Sequence, residues 1–319
     1  MKQKIKLFLK KIKIYDKVKY IVKDRKNLTK KYKFENRIKS KEKVCFILAG
    51  YKEFSYDIVF SRIKKFVPKD VEVCILSSGK YSEKLSKIAS DNDWSYLSTK
   101  RNNVCLIQNV ANSIFKDAKY IYKIDEDIFV TKHFFDTLYK TYKECNDKGD
   151  YNVGLVAPII PINGFSHVYI LDRFNLRKTY DKKYEKTKYA AGPDRMIENN
   201  PNVAKFFWGE KDYLPNIDVI DDTLSKDKFD YLACPIRFSI GAIMYSREFW
   251  KDMGMFPVGE GADMGNDEVE MCLQAMKKSK AIIISKNTAV GHLSFGKQNE
   301  TMKNYYEKHK EIFKIHDVK

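Results

Sequence analysis

Three acids in a row, Asp125-Glu126-Asp127, follow the strand-like run Tyr120 to Ile124 and precede an apolar turn, Ile128 to Val130. Carboxylates crowded this closely against apolar residues repel one another and are costly to desolvate. A cation beside them removes both problems. Two carboxylates are too few to cage a hard divalent ion, but they suffice where substrate phosphates supply the other ligands. The pattern points to a metal–diphosphate site at the carboxyl end of a strand. Asp-x-Asp is also a common acidic surface turn, so the surroundings must decide. Two further features carry chemistry. Asp267-Glu268 opens a helix behind the glycine-rich stretch Gly259 to Gly265, and His292 stands in a short loop after the last strand. A divalent cation shared by Asp127, His292 and a nucleotide diphosphate would neutralise a leaving phosphate. A carboxylate beyond the sugar would deprotonate an attacking hydroxyl. The blander readings are a structural histidine and helix N-terminal acids favoured by the dipole.

The elements that must position these residues are legible as an alternation. Apolar runs at Val44 to Leu48, Val71 to Leu76, Trp94 to Leu97, Tyr120 to Ile124, Val153 to Ile160, Phe238 to Tyr245 and Ala281 to Ser285 read as strands. Helical spacing appears at Tyr56 to Phe66, Tyr81 to Ala89, Val104 to Phe115, Phe134 to Lys143, Ser246 to Met253 and Asp267 to Lys277. Strands alternating with helices imply an α/β domain with a mixed, mostly parallel, Rossmann-like sheet and helices on both faces. Ligands bind such sheets beyond the carboxyl ends of the strands, where the acidic triplet, Ala49 to Tyr51 and Ser77 to Gly79 would all lie. Residues 161–232 read as an irregular acceptor-side or lid insertion. Within it, Asp218, Asp221 and Asp222 suit loop or cap roles better than a second metal site. Residues 299–319 read as a peripheral Lys/Glu-rich helix.

The chain has 319 residues and a formal charge of +18. Residues 1–43 hold eighteen Lys or Arg against four acids, a net of +14, so the body is only mildly basic. This argues against nucleic acid as the body's partner. In the extension, Ile5, Phe8, Ile12, Tyr15, Val18 and Val22 recur at spacings of three and four, a basic amphipathic helix suited to an anionic membrane surface. Residues 27–43 have no period and read as a linker, so the expected units are 1–43, 44–298 and 299–319. The six cysteines form no CxxC pair and no zinc-spaced cluster, which fits a reducing cytosol. No run approaches the ~18 apolar residues of a membrane span. The expected location is cytoplasmic, with peripheral attachment to the inner membrane face.

In order along the chain, Lys43 to Tyr51, Tyr120 to Val130, Ile240 to Phe256 (Gly241-Ala242, Arg247-Glu248-x-Trp250, Gly254-Met255-Phe256), Asn266 to Glu270 and Val290-Gly291-His292 resemble the motifs of nucleotide-sugar-dependent glycosyltransferases of the GT-A fold. The likeness is to the large, mostly inverting bacterial group with a DxD motif, and it spans roughly residues 43 to 297. It implies transfer of a sugar from a nucleotide-diphosphate donor to a glycan or lipid-linked acceptor, with Mn²⁺ or Mg²⁺, in surface polysaccharide synthesis. It also implies roles. Asp127 and His292 would bind the metal, and Asp125 the ribose or a metal-bound water. Ala49, Gly50 and Tyr51 would face the base and ribose, and Arg101 and Asn103 the nucleotide or donor. Glu126 would serve neither role directly. By position the base would be Glu268; by residue type it would be Asp267; Glu268 is favoured. The Gln-x-x-Arg-Trp signature of processive synthases is absent, which favours single transfer. A sugar-phosphate nucleotidyltransferase would show a Gly-rich, basic loop after the first strand, where this chain has Ala-Gly-Tyr-Lys-Glu-Phe. A non-catalytic basic adaptor on an α/β body is the alternative from another class.

Overall fold

A computed structural model describes residues 27–190 and 195–317. The amphipathic segment expected at 5–22 lies outside them. A nine-stranded sheet forms the centre, in the order β1-β4-β3-β2-β5-β9-β7-β10-β8. Its strands are β1 (Tyr32–Glu35), β2 (Lys43–Leu48), β3 (Val71–Ser78), β4 (Ser95–Thr99), β5 (Tyr120–Asp125), β7 (Val153–Ile159), β8 (Tyr231–Ala233), β9 (Ala242–Ser246) and β10 (Ala281–Ala289). Six of them run the same way; β1, β8 and β9 run against them. The sheet is therefore mixed and mostly parallel, as expected. Its central strands are apolar along their length because both faces are covered, and Val44 to Ile47 and Cys74 to Leu76 are fully buried. All six cysteines are free and buried among these apolar side chains.

Register sets the working edge. Leu48 of β2 lies opposite Asp125 of β5, so both chains leave the sheet at one level. The antiparallel β9 begins there too: Ile124 pairs with Ala242, and the Asp125 amide donates to the Gly241 carbonyl at 2.8 Å. A second, two-stranded sheet joins β6 (Ile128–Phe129) to β11 (Gly291–His292) and carries the end of β10 to the acidic triplet.

Helices flank the sheet: α1 (Tyr56–Phe66), α2 (Glu83–Asp91), α3 (Val104–Ile114) and α4 (Phe134–Lys148) alternate with its strands. Ser82 caps α2 as its position suggests, accepting from the Leu85 amide at 3.3 Å. Three expectations are corrected. Residues 27–43 are not a free linker: β1 pairs antiparallel with β4, the Glu72 carboxylate accepts from the Lys39 and Lys41 amides, and the Asn27 side chain accepts from the Val258 amide. Strand β1 alternates Tyr32 and Phe34 with Lys33 and Glu35, but four residues are too few for the period to stand out; Lys33 helps blunt further pairing at this sheet edge. Residues 161–232 are not irregular. They form α5 (His167–Arg173), α6 (Arg177–Lys183), α7 (Met196–Asn199), α8 (Pro201–Phe207), α9 (Ile217–Ser225) and β8. Most of these helices are two turns or fewer, too short to display an apolar period. The terminal helix α12 (Asn299–Lys308) and the following turn α13 (Lys310–Phe313) are not peripheral. Met302, Tyr306 and Phe313 are buried, and the Phe313 ring lies 4.5 Å from Trp208 and 5.2 Å from Phe129. Two more helices, α10 (Arg247–Asp252) and α11 (Asn266–Lys277), complete the body before β10, so in chain order they precede α12. Strand β10 also runs four residues further than its apolar run. Polar partners elsewhere satisfy Ser285, Asn287 and Thr288 there.

Candidate functional site

The turn after β2 is held by Glu126. Its buried carboxylate accepts from the amides of Gly50 (2.7 Å) and Tyr51 (3.0 Å) and from the Tyr56 hydroxyl (3.0 Å). With its acceptor sites used this way, Glu126 shapes the turn. Ala49 stays buried and extends the pairing through its amide to the Leu76 carbonyl. Tyr51 is the exposed member, at 60%. Its hydroxyl donates to the Ser78 carbonyl at 2.8 Å, and the Lys80 ammonium sits 4.9 Å from its ring centre. That ring is the only part of the Ala49–Tyr51 turn offering a broad face to solvent.

Asp127 leads out of β5 into β6 and is buried at 2%. Its Oδ2 lies 2.6 Å from the Lys52 ammonium and 3.3 Å from His292 Nε2. The β6–β11 pairing produces this meeting: His292 lies opposite Ile128, and the Leu293 amide donates to the Asp127 carbonyl at 3.0 Å. Residue 291 must be glycine, because a Cβ there would fall 2.2 Å from the Trp208 ring, whose Nε1 donates to the His292 carbonyl. Burial opposes ionisation of Asp127. Lys52 and His292 outweigh it and hold the carboxyl well below the usual range.

Asp125 pairs with the buried Lys123 at 2.6 Å. Alternation puts positions 123 and 125 on one face of β5. Burial, partly offset by Lys123, raises the Asp125 carboxyl. Lys123 itself feels Asp267 and Glu268 as well, so this one ammonium stands between the triplet and the acid pair.

The two acids of that pair diverge, since neighbouring helix positions point about 100° apart. Asp267 turns inward at 5% exposure and accepts from Gln108 Nε2 at 2.9 Å. Glu268 faces the site, with Arg237 at 2.6 Å and the Ile240 amide at 3.3 Å on its two oxygens. Burial lifts its carboxyl to about 7, against the pull of Arg237 and the amide. A group ionising there can take a proton at neutral pH. The Asp267 carboxylate, by contrast, is turned toward α3 and engaged by Gln108.

Arg101 and Asn103 have partners within the protein. The Arg101 guanidinium donates to the Gly259 carbonyl. Asn103 is fully buried; it caps α3 through the Leu106 amide (2.8 Å) and donates to the Gly261 carbonyl (2.8 Å) and the Asp263 carboxylate. Both tie the 259–263 loop to the sheet edge. Lys52, Lys123 and Arg237 were not singled out by sequence. Only Lys123 had a signal, a lysine inside an apolar strand run two positions before an acid.

The residues fit a hard divalent cation in a restricted sense. A carboxylate oxygen and an imidazole nitrogen already converge, and His292 Nδ1 is buried without a hydrogen-bond partner among the described residues. No cluster of three or more His, Cys, Asp or Glu able to hold a metal occurs among the described residues. Ligand oxygens and water must therefore complete the shell.

The fold is similar to that of a mannosyltransferase from Pyrobaculum calidifontis solved with GDP-Man and Mn²⁺. The identity is 16% and the TM-score 0.44, over 86% of this chain and 63% of that one. GalNAc-T7 with UDP, GalNAc and Mn²⁺ is similar at 11% identity and TM-score 0.46, over 82% of this chain and 45% of that chain. TarS residues 1–349 of S. aureus are similar at 13% and 0.44, over 85% and 64%. This chain thus spans less than two thirds of each. No family model and no curated protein matches the sequence.

Proposed function

We propose that the protein transfers a sugar from a nucleotide-diphosphate donor to a hydroxyl of a glycan or lipid-linked acceptor, with inversion. The observation that supports this most is the convergence of Asp127 and His292 at the carboxyl end of the sheet, one strand away from a carboxyl, Glu268, poised near neutrality. The exposed ring of Tyr51 offers a stacking face for a base. Asp125, a third exposed and steadied by Lys123, is placed to accept from ribose hydroxyls. Mn²⁺ or Mg²⁺ held by Asp127 and His292 would supply Lewis-acid stabilisation of the departing diphosphate. Glu268 takes the proton of the acceptor hydroxyl. That oxygen forms the new bond to the anomeric carbon as the bond to the diphosphate oxygen breaks, its electron pair leaving with the diphosphate. Arg237 keeps Glu268 oriented and favours its ionised form.

Surface polysaccharide synthesis and attachment to an anionic membrane through residues 1–43 belong to the same proposal. No helix among the described residues is long and apolar enough to cross a membrane. Five exposed lysines, Lys30, Lys31, Lys33, Lys80 and Lys100, carry the basic character of the extension onto the body beside Tyr51. The test is hydrolysis and transfer from a panel of nucleotide sugars, with and without Mn²⁺. Asp127→Ala should lose metal-dependent turnover by about a hundredfold or more. Absence of any metal-dependent donor turnover or binding in the panel sinks the proposal.

A further inference from the structure

Lys52 is a residue at this site that no motif accounts for. Its ammonium lies 2.6 Å from Asp127 Oδ2, the same oxygen that His292 Nε2 approaches, and 3.4 Å from Asn299 Oδ1. A divalent cation bound to that oxygen and that nitrogen would meet the ammonium within a few ångströms. Two cations that close repel, and a partly buried site screens the repulsion poorly. Lys52 and a metal therefore cannot both hold Asp127 in this arrangement.

The backbone under Lys52 does not yield. Glu126 holds the preceding amides, and the Lys52 carbonyl accepts from the Ser55 hydroxyl at 2.7 Å. Only the side chain is free to move. It is about a quarter exposed, against 4% for Asp127, so its way out leads to the mouth of the site and not into the core. A lysine is a compact charge on a flexible stem, suited to changing partners. What it needs on leaving Asp127 is another anion close by. A diphosphate bound with the metal supplies one.

Building on the functional reading above, we infer that Lys52 is an exchangeable counter-ion. It occupies Asp127 while the donor is absent and moves to the donor's diphosphate when metal and donor enter together. The exchange makes metal and diphosphate binding mutually dependent. Metal alone must displace an ion pair with no new partner for the ammonium; metal with diphosphate leaves every charge matched. Such coupling is reciprocal between the two ligands.

The experiment is calorimetric titration of the full chain with Mn²⁺ alone, with pyrophosphate alone, and with both. The wild type should bind each weakly alone and both together strongly. Lys52→Met should bind Mn²⁺ alone about tenfold tighter, because a repelling charge of order 1 kcal/mol or more is gone. It should bind Mn²⁺–pyrophosphate more weakly, so that most of the coupling disappears. Lys52→Gln should behave like Lys52→Met, and Lys52→Arg should keep the wild-type pattern; together they separate charge from folding defects. If Lys52→Met and Lys52→Gln bind Mn²⁺ no tighter than wild type, while wild-type binding of Mn²⁺–pyrophosphate still depends on Asp127, the counter-ion role is overturned and the functional reading stands. If the wild type binds no Mn²⁺–pyrophosphate at all, both fall.

Discussion

The two halves of the site are built differently. The donor side is made by strand ends: β2 and β5 stop level with each other, and Asp125, Glu126, Asp127, Gly50 and Tyr51 lie at or within three residues of those ends. The acceptor side is made by helix starts and loops. Glu268 is the third residue of α11, Arg237 comes from the segment before β9, and the 259–263 loop is tied down by Arg101 and Asn103. Parallel strands fix their neighbours through repeated hydrogen bonds, so one residue cannot shift alone. A loop held by two side chains and one backbone hydrogen bond, from the Val104 amide to the Ala262 carbonyl, can. The donor half should therefore fail sharply when a single charge is altered, and the acceptor half gradually, with Glu268 as its one sharp point.

That point gives the largest expected effect. Glu268→Gln should lower kcat by about 10²–10⁴ with little change in donor affinity, the usual range for loss of a general base. Asp267→Asn should keep most of the activity, because an amide oxygen can still accept from Gln108. The wild-type pH profile should rise through about 7, since Glu268 must lose its proton to act, and this acid limb should vanish in Glu268→Gln. In stability the same burial-raised carboxyl has the opposite pH slope. It favours the folded state below its ordinary value of 4.5, and that contribution is lost as pH rises through about 7. Thermal melts of Glu268→Gln should therefore gain on the wild type between pH 5 and pH 8. A Glu268→Gln enzyme with wild-type kcat, or an Asp267→Asn enzyme without activity, would reverse the assignment.

The same contrast explains what could be read from the sequence. The strand before the triplet, the triplet itself, the cap at Ser82 and the alternation of β2 to β5 are local patterns of apolar run and turn residue. His292 was legible because it closely follows the last strand. The roles of Lys52, Arg237, Arg101 and Asn103 were not, because each is set by a partner 31 to 160 positions away. Nothing in the immediate neighbourhood of Asn103 distinguishes a nucleotide contact from a cap that also grips a distant loop. Strand β1 was lost for a different reason: its alternation covers only four residues, Tyr32 to Glu35, too few to stand out from the Lys-rich sequence around it.

Asp221 tests whether the two regions are as separate as their construction suggests. Its buried carboxylate accepts from His133 through the amide (3.2 Å) and Nδ1 (2.8 Å), from Thr288 Oγ1 (2.7 Å) and from the Ala289 amide (3.1 Å). It thus fastens α9 to the segment that ends in His292. Asp221→Ala should cost about 2–4 kcal/mol in urea unfolding, because several buried donors lose their acceptor. The hydrogen bond to Asp221 raises the His133 imidazole above its ordinary 6.5. That contribution is fully present below 6.5 and fades as pH rises through the raised value. The cost of Asp221→Ala should accordingly be larger at pH 6 than at pH 9, and a cost independent of pH would remove His133 from the account. Mn²⁺–pyrophosphate affinity should fall several-fold along with it. An unchanged affinity would mean that β6 alone positions His292.

The smallest effect is expected at Arg101, and it bears directly on the looseness of the acceptor side. The guanidinium is exposed and holds one carbonyl, that of Gly259. Asn103 grips the same loop independently from a fully buried position. Arg101→Ala should therefore change global stability by less than about 0.5 kcal/mol, as surface substitutions away from special features do. It should nonetheless raise the rate of limited proteolysis within 259–265, where Met264 is 80% exposed, by freeing one of the loop's tethers. Donor affinity should stay the same, because the side chain is aimed at the loop. A large rise in donor KM without faster cleavage would return Arg101 to the nucleotide-contact role that its position before α3 suggests. In that case the acceptor-side loop would hang on Asn103 and on the Val104 amide, which donates to the Ala262 carbonyl at 3.0 Å.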